Sequence, residues 1–334
     1  MSIGVAVAAF LVALTATLGA SEALVWGLSR LGLKLGLAAG LLGLVTALGA
    51  DAPEIASAVS AAFSGAKDIG VGVILGSNLF NLAALLGLPG LLVGRLRFPR
   101  LVPVADGAAN LLVTLVAAGV LLGALSARLG AALFALLLAA YAAVLALPPR
   151  RIRRLPLPGW VSRAVLLLSV QIHSEDIVAD VMSRTAGWLP VLFVPAALGI
   201  IVVGSVVMVT TAVFLGQRWH VPNVFVGTVA LASITGIPNL YAAVRLALRG
   251  DGATVVSEAF NSNTLNLAAG IGLPALFLGA GAVASDPSAA LAWLGGLSVA
   301  AVAIAAVQGG LTRVGGAAII LAYGAFLVVL TRAA

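Results

Sequence analysis

The amino-acid sequence predicts an all-α polytopic membrane protein with about ten transmembrane helices, arranged as two inverted five-helix repeats. Hydrophobic residues make up 62% of the chain and charged residues only 9%, whereas soluble domains carry about 25% charged residues. Apolar segments of about 20 residues, long enough to cross a bilayer, recur along the whole length. Two polar motifs occur once in each half at one common spacing. We therefore expect an integral, multi-pass protein of the plasma (inner) membrane with no sizeable soluble domain.

Glycine, proline and charged residues divide the chain into ten predicted spans. The second and seventh are interrupted by Pro53 and Pro238, which bend or break a helix. The predicted spans are residues 3–28, 35–64, 69–93, 103–123, 128–147, 188–215, 221–247, 253–279, 289–307 and 314–331.

The loops predict the orientation of these spans. With the N-terminus outside, fourteen of the 18 Lys and Arg residues fall on the cytoplasmic side and four outside, as the positive-inside rule requires. Because each half then has five spans, the halves lie in the membrane with opposite orientation. The predicted units are a first repeat (1–147), a basic cytoplasmic connector (148–187) and a second, inverted repeat (188–334).

The two halves share a pair of motifs. GSNLFN begins at residue 76 and NSNTLN at residue 261, a separation of 185. GADAPEIAS begins at residue 49 and ITGIPNLYA at residue 234, again 185 apart, so Pro53 corresponds to Pro238 and Glu54 to Asn239. Two motifs with one offset indicate an internal duplication, in which each half contributes similar polar residues to one site.

These motifs predict a cation site within the membrane. A carboxylate at mid-membrane costs about 3 kcal/mol or more, so Asp51 and Glu54 need a cation, a proton or a basic partner, and no Lys or Arg lies in these spans near that depth. Polar residues spaced by four share a face of the third and eighth spans. Carboxylate, amide and hydroxyl oxygens are the ligands of hard cations. The candidate ligands are Asp51, Glu54, Ser77, Asn81, Asn239, Glu258, Ser262 and Asn266.

Structural roles compete with this interpretation at several positions. The Asp51 side chain would alternatively cap the broken helix, and the asparagines would join helices by hydrogen bonds. We interpret Asn78 and Asn263 as packing residues. Glu258 would alternatively reach water at the cytoplasmic end of its span, and Glu22 and Asp106 are interpreted as interfacial.

GADAPE and GSNLFN resemble the alpha repeats of the calcium/cation antiporter superfamily, the sodium/calcium exchangers, whose signatures run G-T-S-x-P-E and G-S-N-x-F-N. The resemblance implies that Glu54, Ser77 and Asn81 bind the transported ions. The second copy diverges, because Asn239 and Asn266 stand where acidic ligands are expected. Asp51 in place of a serine, and Glu258 opposite Val73 of the first copy, bring the available carboxylates back to three.

We therefore expect a secondary active antiporter, not an enzyme, that exchanges a divalent cation, Ca²⁺, for H⁺ or Na⁺ by alternating access, without a bound cofactor. Like-charge repulsion between Asp51 and Glu54, together with burial, favours a proton on one of them when metal is absent, which makes H⁺ the preferred counter-ion. The alternatives are an uncoupled cation channel or uniporter on the same fold, and a transport-inactive membrane scaffold.

The expected partners are inorganic cations and the lipid bilayer. Anionic lipids are expected at the basic cluster of the connector, namely Arg150, Arg151, Arg153 and Arg154. No nucleic-acid partner is expected, because the net charge of +7 is attributed to membrane orientation. An acidic segment of the connector is either a regulatory ion site or a solvated helix, with His173, Glu175, Asp176 and Asp180 as its residues.

Overall fold

The computed structural model describes residues 1–37, 39–146, 189–278 and 286–333, together with the single positions 159 and 166. The connector, with Arg150 to Arg154 and the acidic segment 173–180, lies outside these residues, so its predicted roles stay predictions. The described chain is almost entirely helical, which confirms the all-α membrane class.

The first half contains α1 (Ile3–Lys34), α2 (Ala39–Ala50), α3 (Ala52–Phe63), α4 (Lys67–Asn81), a π-helical segment (Leu82–Gly87), α5 (Leu88–Val93), strand β1 (Arg95–Arg97), α6 (Leu101–Leu121) and α7 (Ala127–Ala146). The second half contains α8 (Leu189–Arg218), α9 (Asn223–Phe225), a π-helical segment (Val226–Leu231), α10 (Ala232–Thr235), α11 (Ile237–Leu248), α12 (Gly252–Leu278), α13 (Ser288–Gln308), strand β2 (Gly310–Thr312) and α14 (Arg313–Ala333).

Within the described residues, seven helical stretches are long and apolar enough to cross a membrane, and a pair bent by 45°, Asn223–Thr235 with Ile237–Leu248, makes an eighth. The predicted second span is divided into two helices of 12 residues each, and the predicted eighth, α12, carries many polar side chains. The count of ten spans and their inverted arrangement therefore stay predictions.

The two halves place helix starts at matching positions. α3 begins at Ala52 and α11 at Ile237, and both have 12 residues. Pro53 and Pro238 each lie in the first turn, where proline costs no intrahelical hydrogen bond. α4 and α12 begin at residues 67 and 252, so the motif offset of 185 recurs in the helix bounds.

The core lies around α4 and α12. Within the stretch from Lys67 to Val93, 89% of the most apolar 18-residue segment is buried, because small residues let its neighbours approach. A Cβ at Gly76 would overlap the backbone carbonyl of Thr228 in the second π-helical segment, and one at Gly227 would lie 2.5 Å from the Ile69 carbonyl oxygen. α1 and α8 pack on each other beside α3, where small and aliphatic residues such as Ala20, Ala197 and Ala56 meet.

A short antiparallel sheet departs from the all-helical prediction. β1 pairs with β2 so that Leu96 lies opposite Leu311. Gly94 and Gly309 follow α5 and α13 and have positive φ angles, which end these helices and turn the chain into the strands.

Candidate cation site

Asp51 lies in the break between α2 and α3 and is buried. Its Oδ1 accepts hydrogen bonds from Asn239 Nδ2 at 2.9 Å and from Ser262 Oγ at 2.6 Å. The side chain makes no capping hydrogen bond to α3, so the capping interpretation of Asp51 is wrong. This carboxylate joins the first motif of one half to both motifs of the other.

Several buried oxygens of the predicted site have no hydrogen-bond partner among the described residues. They are Asp51 Oδ2, both carboxylate oxygens of Glu54, Glu258 Oε2, Asn81 Oδ1 and Asn266 Oδ1. Glu54 is completely buried, and both Glu54 and Glu258 lie within electrostatic range of Asp51. Burying unpartnered carboxylates is costly, so this region is suited to receive positive charge.

The crossing of α4 and α12 holds the asparagines of the two GSNLFN-type motifs together. Asn78 Nδ2 donates to the Asn263 carbonyl at 3.3 Å, and Asn263 Nδ2 donates to the Asn78 carbonyl at 3.0 Å. These reciprocal bonds join residues 185 apart, so the local arrangement has approximate two-fold symmetry. Both residues act as helix-packing residues, as interpreted from the sequence.

Asn81 links this crossing to the carboxylates. Its Nδ2 donates to Ser262 Oγ at 3.0 Å and to Asn263 Oδ1 at 3.2 Å. The Asn81 oxygen is therefore left without a donor and is available to a cation.

Four of the eight predicted ligands are thus joined by direct hydrogen bonds, namely Asp51, Asn239, Ser262 and Asn81. The other four form no hydrogen bond to this group among the described residues. Glu54 lies on α3, Ser77 on α4, and Glu258 and Asn266 on α12. Ser77 Oγ donates to the Ile74 carbonyl at 3.1 Å, which leaves its lone pairs free.

A match to a protein-family profile shows which family this chain belongs to. The profile described as sodium/calcium exchanger protein matches residues 5–148 and 188–332, which is most of the chain. The chain belongs to the sodium/calcium exchanger family. The resemblance drawn from GADAPE and GSNLFN is therefore confirmed, and the family is one of transporters.

Two curated relatives match this exchanger-family protein over most of its length. The putative antiporter CaxA of Alkalimonas amylolytica is 25% identical over 275 residues, 79% of this chain and 78% of that protein. The inner membrane protein YrbG of Escherichia coli strain K12 is 26% identical over 290 residues, 81% and 79% of the two chains.

Two solved structures share the fold. The H⁺/Ca²⁺ exchanger CAX gives a TM-score of 0.68 at 16% identity, over 97% of this chain and 82% of that one. The sodium-calcium exchanger NCX_Mj gives a TM-score of 0.62 at 18% identity, over 98% and 99% of the two chains. These similarities confirm an integral, multi-pass exchanger fold.

The predicted ligands are of mixed chemical type. Within the part of the chain that the structure describes, no group of three or more His, Cys, Asp or Glu side chains is placed to hold a metal ion. A bound cation would therefore depend on hydroxyl and amide oxygens beside the carboxylates. Such a mixed oxygen set suits Ca²⁺, which accepts carboxylates, amide carbonyls and water together.

A fourth carboxylate, Asp106 on α6, is buried inside the protein, and its interpretation as interfacial stays a prediction. Its Oδ2 accepts from Ser257 Oγ at 2.6 Å and its Oδ1 contacts Tyr141 OH at 3.4 Å. Tyr141 OH in turn donates to Asn261 Oδ1 at 2.6 Å. The available sequence signal was Asn261, an asparagine that opens the second motif where the first has Gly76.

Proposed function

We propose that this exchanger-family protein is a secondary active antiporter that moves Ca²⁺ in exchange for protons by alternating access. The observation that carries this proposal is that Asp51, Glu54 and Glu258 each keep buried oxygens without a hydrogen-bond partner, and that Glu54 and Glu258 both interact with Asp51. Burying carboxylate oxygens that have no hydrogen-bond partner destabilises the protein unless positive charge joins them.

The charge of the site supports a divalent ion. Asp51, Glu54 and Glu258 supply up to three negative charges, and the unpartnered oxygens of Asn81 and Asn266 add neutral ligands. Affinity for Ca²⁺ rises with the number of charged ligands. CaxA, a putative antiporter by name, and CAX, an H⁺/Ca²⁺ exchanger, are consistent with this choice.

The counter-ion follows from how the charge is distributed. Asp51 and Glu54 are three residues apart, and like-charge repulsion between neighbouring carboxylates favours a proton on one of them when no cation is bound. Asn239 and Asn266 are neutral at positions where the family signature leads one to expect acids, which removes negative charges that would attract Na⁺. Both features favour protons over Na⁺.

The packing of α1 on α8 supports the conformational step. Their contact uses small residues, and a Cβ at Gly204 would overlap Thr17 Oγ1. A surface of small residues lets two helices approach closely. We propose that this pair moves as a unit over α3 and exposes the site to one side at a time.

The test is Ca²⁺ efflux from proteoliposomes at a fixed membrane potential, with Na⁺ and pH gradients imposed separately. We expect an inward proton gradient to drive efflux against a Ca²⁺ gradient. Efflux driven by a Na⁺ gradient and not by a pH gradient would identify Na⁺, and not H⁺, as the counter-ion. Flux that only follows the Ca²⁺ gradient would indicate a channel or uniporter, and no flux at all would indicate a scaffold.

A further inference from the structure

The small sheet formed by β1 and β2 presents arginines in fixed positions. In β1, Leu96 is buried, whereas Arg95 and Arg97 are exposed. Alternate residues of a strand point to the same side about 7 Å apart, so the two guanidinium groups share one face. Pairing with β2 holds this strand, with Arg95 opposite Thr312 and Arg97 opposite Gly310.

Two further arginines flank the same sheet. Arg313 follows β2, its backbone N–H donates to the Gly94 carbonyl at 3.1 Å, and its Nε lies 3.1 Å from the position that a Cβ would take at Gly94. Arg100 Nε lies 3.3 Å from the corresponding position at Gly309. The glycines therefore leave room for guanidinium groups at both ends of the sheet. We call Arg95, Arg97, Arg100 and Arg313 the arginine platform.

The arginine platform forms no ion pair in the described part of the chain. All four side chains are exposed, and none of them forms an ion pair with a described carboxylate. Arginines that serve only local structure are commonly paired with an acidic group or stacked on an aromatic ring. Four unpaired guanidinium groups on one rigid unit instead match a phosphate, which arginine binds in a forked, charge-assisted geometry.

Exposed aliphatic residues border the platform. Leu92 precedes β1, Val307 precedes β2, and Val314 follows Arg313; their exposed fractions are 52%, 76% and 77%. Aliphatic side chains contribute nothing to binding a free phosphate ion, whereas they can pack against the acyl chains of a lipid. β1 follows the predicted third span and β2 lies between the predicted ninth and tenth, which places the platform at the membrane surface.

We propose that the arginine platform binds the phosphate headgroup of an anionic phospholipid, with the acyl chains against Leu92, Val307 and Val314. This site differs from the basic cluster of the connector, because it is built on a sheet that ties α5 to α13 and α14. Bound lipid would hold these elements together at the edge of the bundle.

The experiment compares thermal unfolding of the full chain in phosphatidylcholine vesicles with and without phosphatidylglycerol. The test variant carries Arg95→Gln, Arg97→Gln and Arg313→Gln. The matched control carries Arg128→Gln, Arg218→Gln and Arg332→Gln, three exposed arginines away from the sheet. Inorganic phosphate is added in a separate arm, and phosphatidylglycerol binding is titrated at low and high salt for the unmodified chain.

We expect phosphatidylglycerol to raise the unfolding temperature of the unmodified chain and the control, but not of the test variant. Removing three arginines should weaken binding by up to about 100-fold, and high salt should weaken binding to the unmodified chain. Equal responses of the two triple variants would overturn the proposal. A rise in unfolding temperature with inorganic phosphate equal to that with phosphatidylglycerol would also overturn it. Salt-independent binding of phosphatidylglycerol to the unmodified chain would overturn it as well, and this result does not depend on the folding of any variant.

Discussion

At the scale of single residues, the two halves of the chain contribute different charges to the predicted site. The first half carries two adjacent carboxylates, and Asn239 of the second half donates to one of them, Asp51 Oδ1. An acid at position 239 would place like charges at hydrogen-bond distance. The asparagine at 239 and the aspartate at 51 therefore depend on each other.

This dependence predicts the outcome of restoring the family signature. Asn239→Glu alone should lower the free energy of unfolding by about 3 kcal/mol, because it adds an unpaired buried charge beside Asp51. Adding Asp51→Ser should recover most of the loss. Thermal unfolding in detergent without divalent ions measures both, with Asn239→Gln as the neutral control. A single Asn239→Glu variant as stable as the parent would show that the two positions are independent.

A second prediction separates the two groups of buried carboxylates. Asp106 is bonded to Ser257 and contacts Tyr141, not the predicted ligands. Asp106→Asn should therefore leave Ca²⁺ affinity within about threefold, whereas Asp51→Asn should reduce it at least tenfold, or about 1.4 kcal/mol. Isothermal titration with Ca²⁺ measures both affinities. A loss of affinity larger than threefold for Asp106→Asn would show that Asp106 contributes to Ca²⁺ binding.

At the scale of elements, the sequence predicted the features that local chemistry dictates. Pro53 and Pro238 indicated the breaks between α2 and α3 and before α11, because proline is most easily accommodated in the first turn of a helix. The π-helical segments and the sheet were not predictable, since both depend on contacts between distant parts of the chain. Residues 82–87 and 226–231 carry no local signal for a π-helix.

The close approach of α4 to the second π-helical segment gives an element-scale prediction. Gly76→Ala should destabilise the protein by about 1–3 kcal/mol or more, because its Cβ would overlap the Thr228 backbone. Gly19→Ala on α1 is the matched control, since its Cβ would meet no atom within 4 Å. The midpoint of thermal unfolding compares the two variants. Equal midpoints would contradict the packing described for α4.

At the scale of the whole molecule, composition and the repeated motifs were sufficient to predict the membrane class and the exchanger family. Composition was sufficient for the membrane class because bilayer thickness and backbone hydrogen bonding permit few folds for so apolar a chain. The family was predicted from the resemblance of GADAPE and GSNLFN to the alpha repeats. The burial of Asp106 and its bond to Ser257 were not predicted, because contacts between distant helices depend on how those helices tilt. The inverted orientation of the halves stays a prediction that labelling tests.

Cysteine labelling measures that orientation on a clean background, because the chain contains no cysteine. Ser64→Cys, in the exposed turn before α4, should react with an impermeant maleimide added to intact cells. Arg97→Cys, in β1, should react only after the membrane is opened. Reaction of both from outside would contradict the predicted topology.

The most direct test of the central claim is Ca²⁺ uptake by proteoliposomes that contain the Glu54→Gln variant. Glu54 is completely buried and both its oxygens lack partners, so removing its charge should remove a ligand and leave the fold intact. Glu22→Gln, an exposed carboxylate on α1, is the control. We predict near-complete loss of uptake by a monodisperse Glu54→Gln protein and normal uptake by Glu22→Gln. Near-normal uptake by Glu54→Gln would contradict the account.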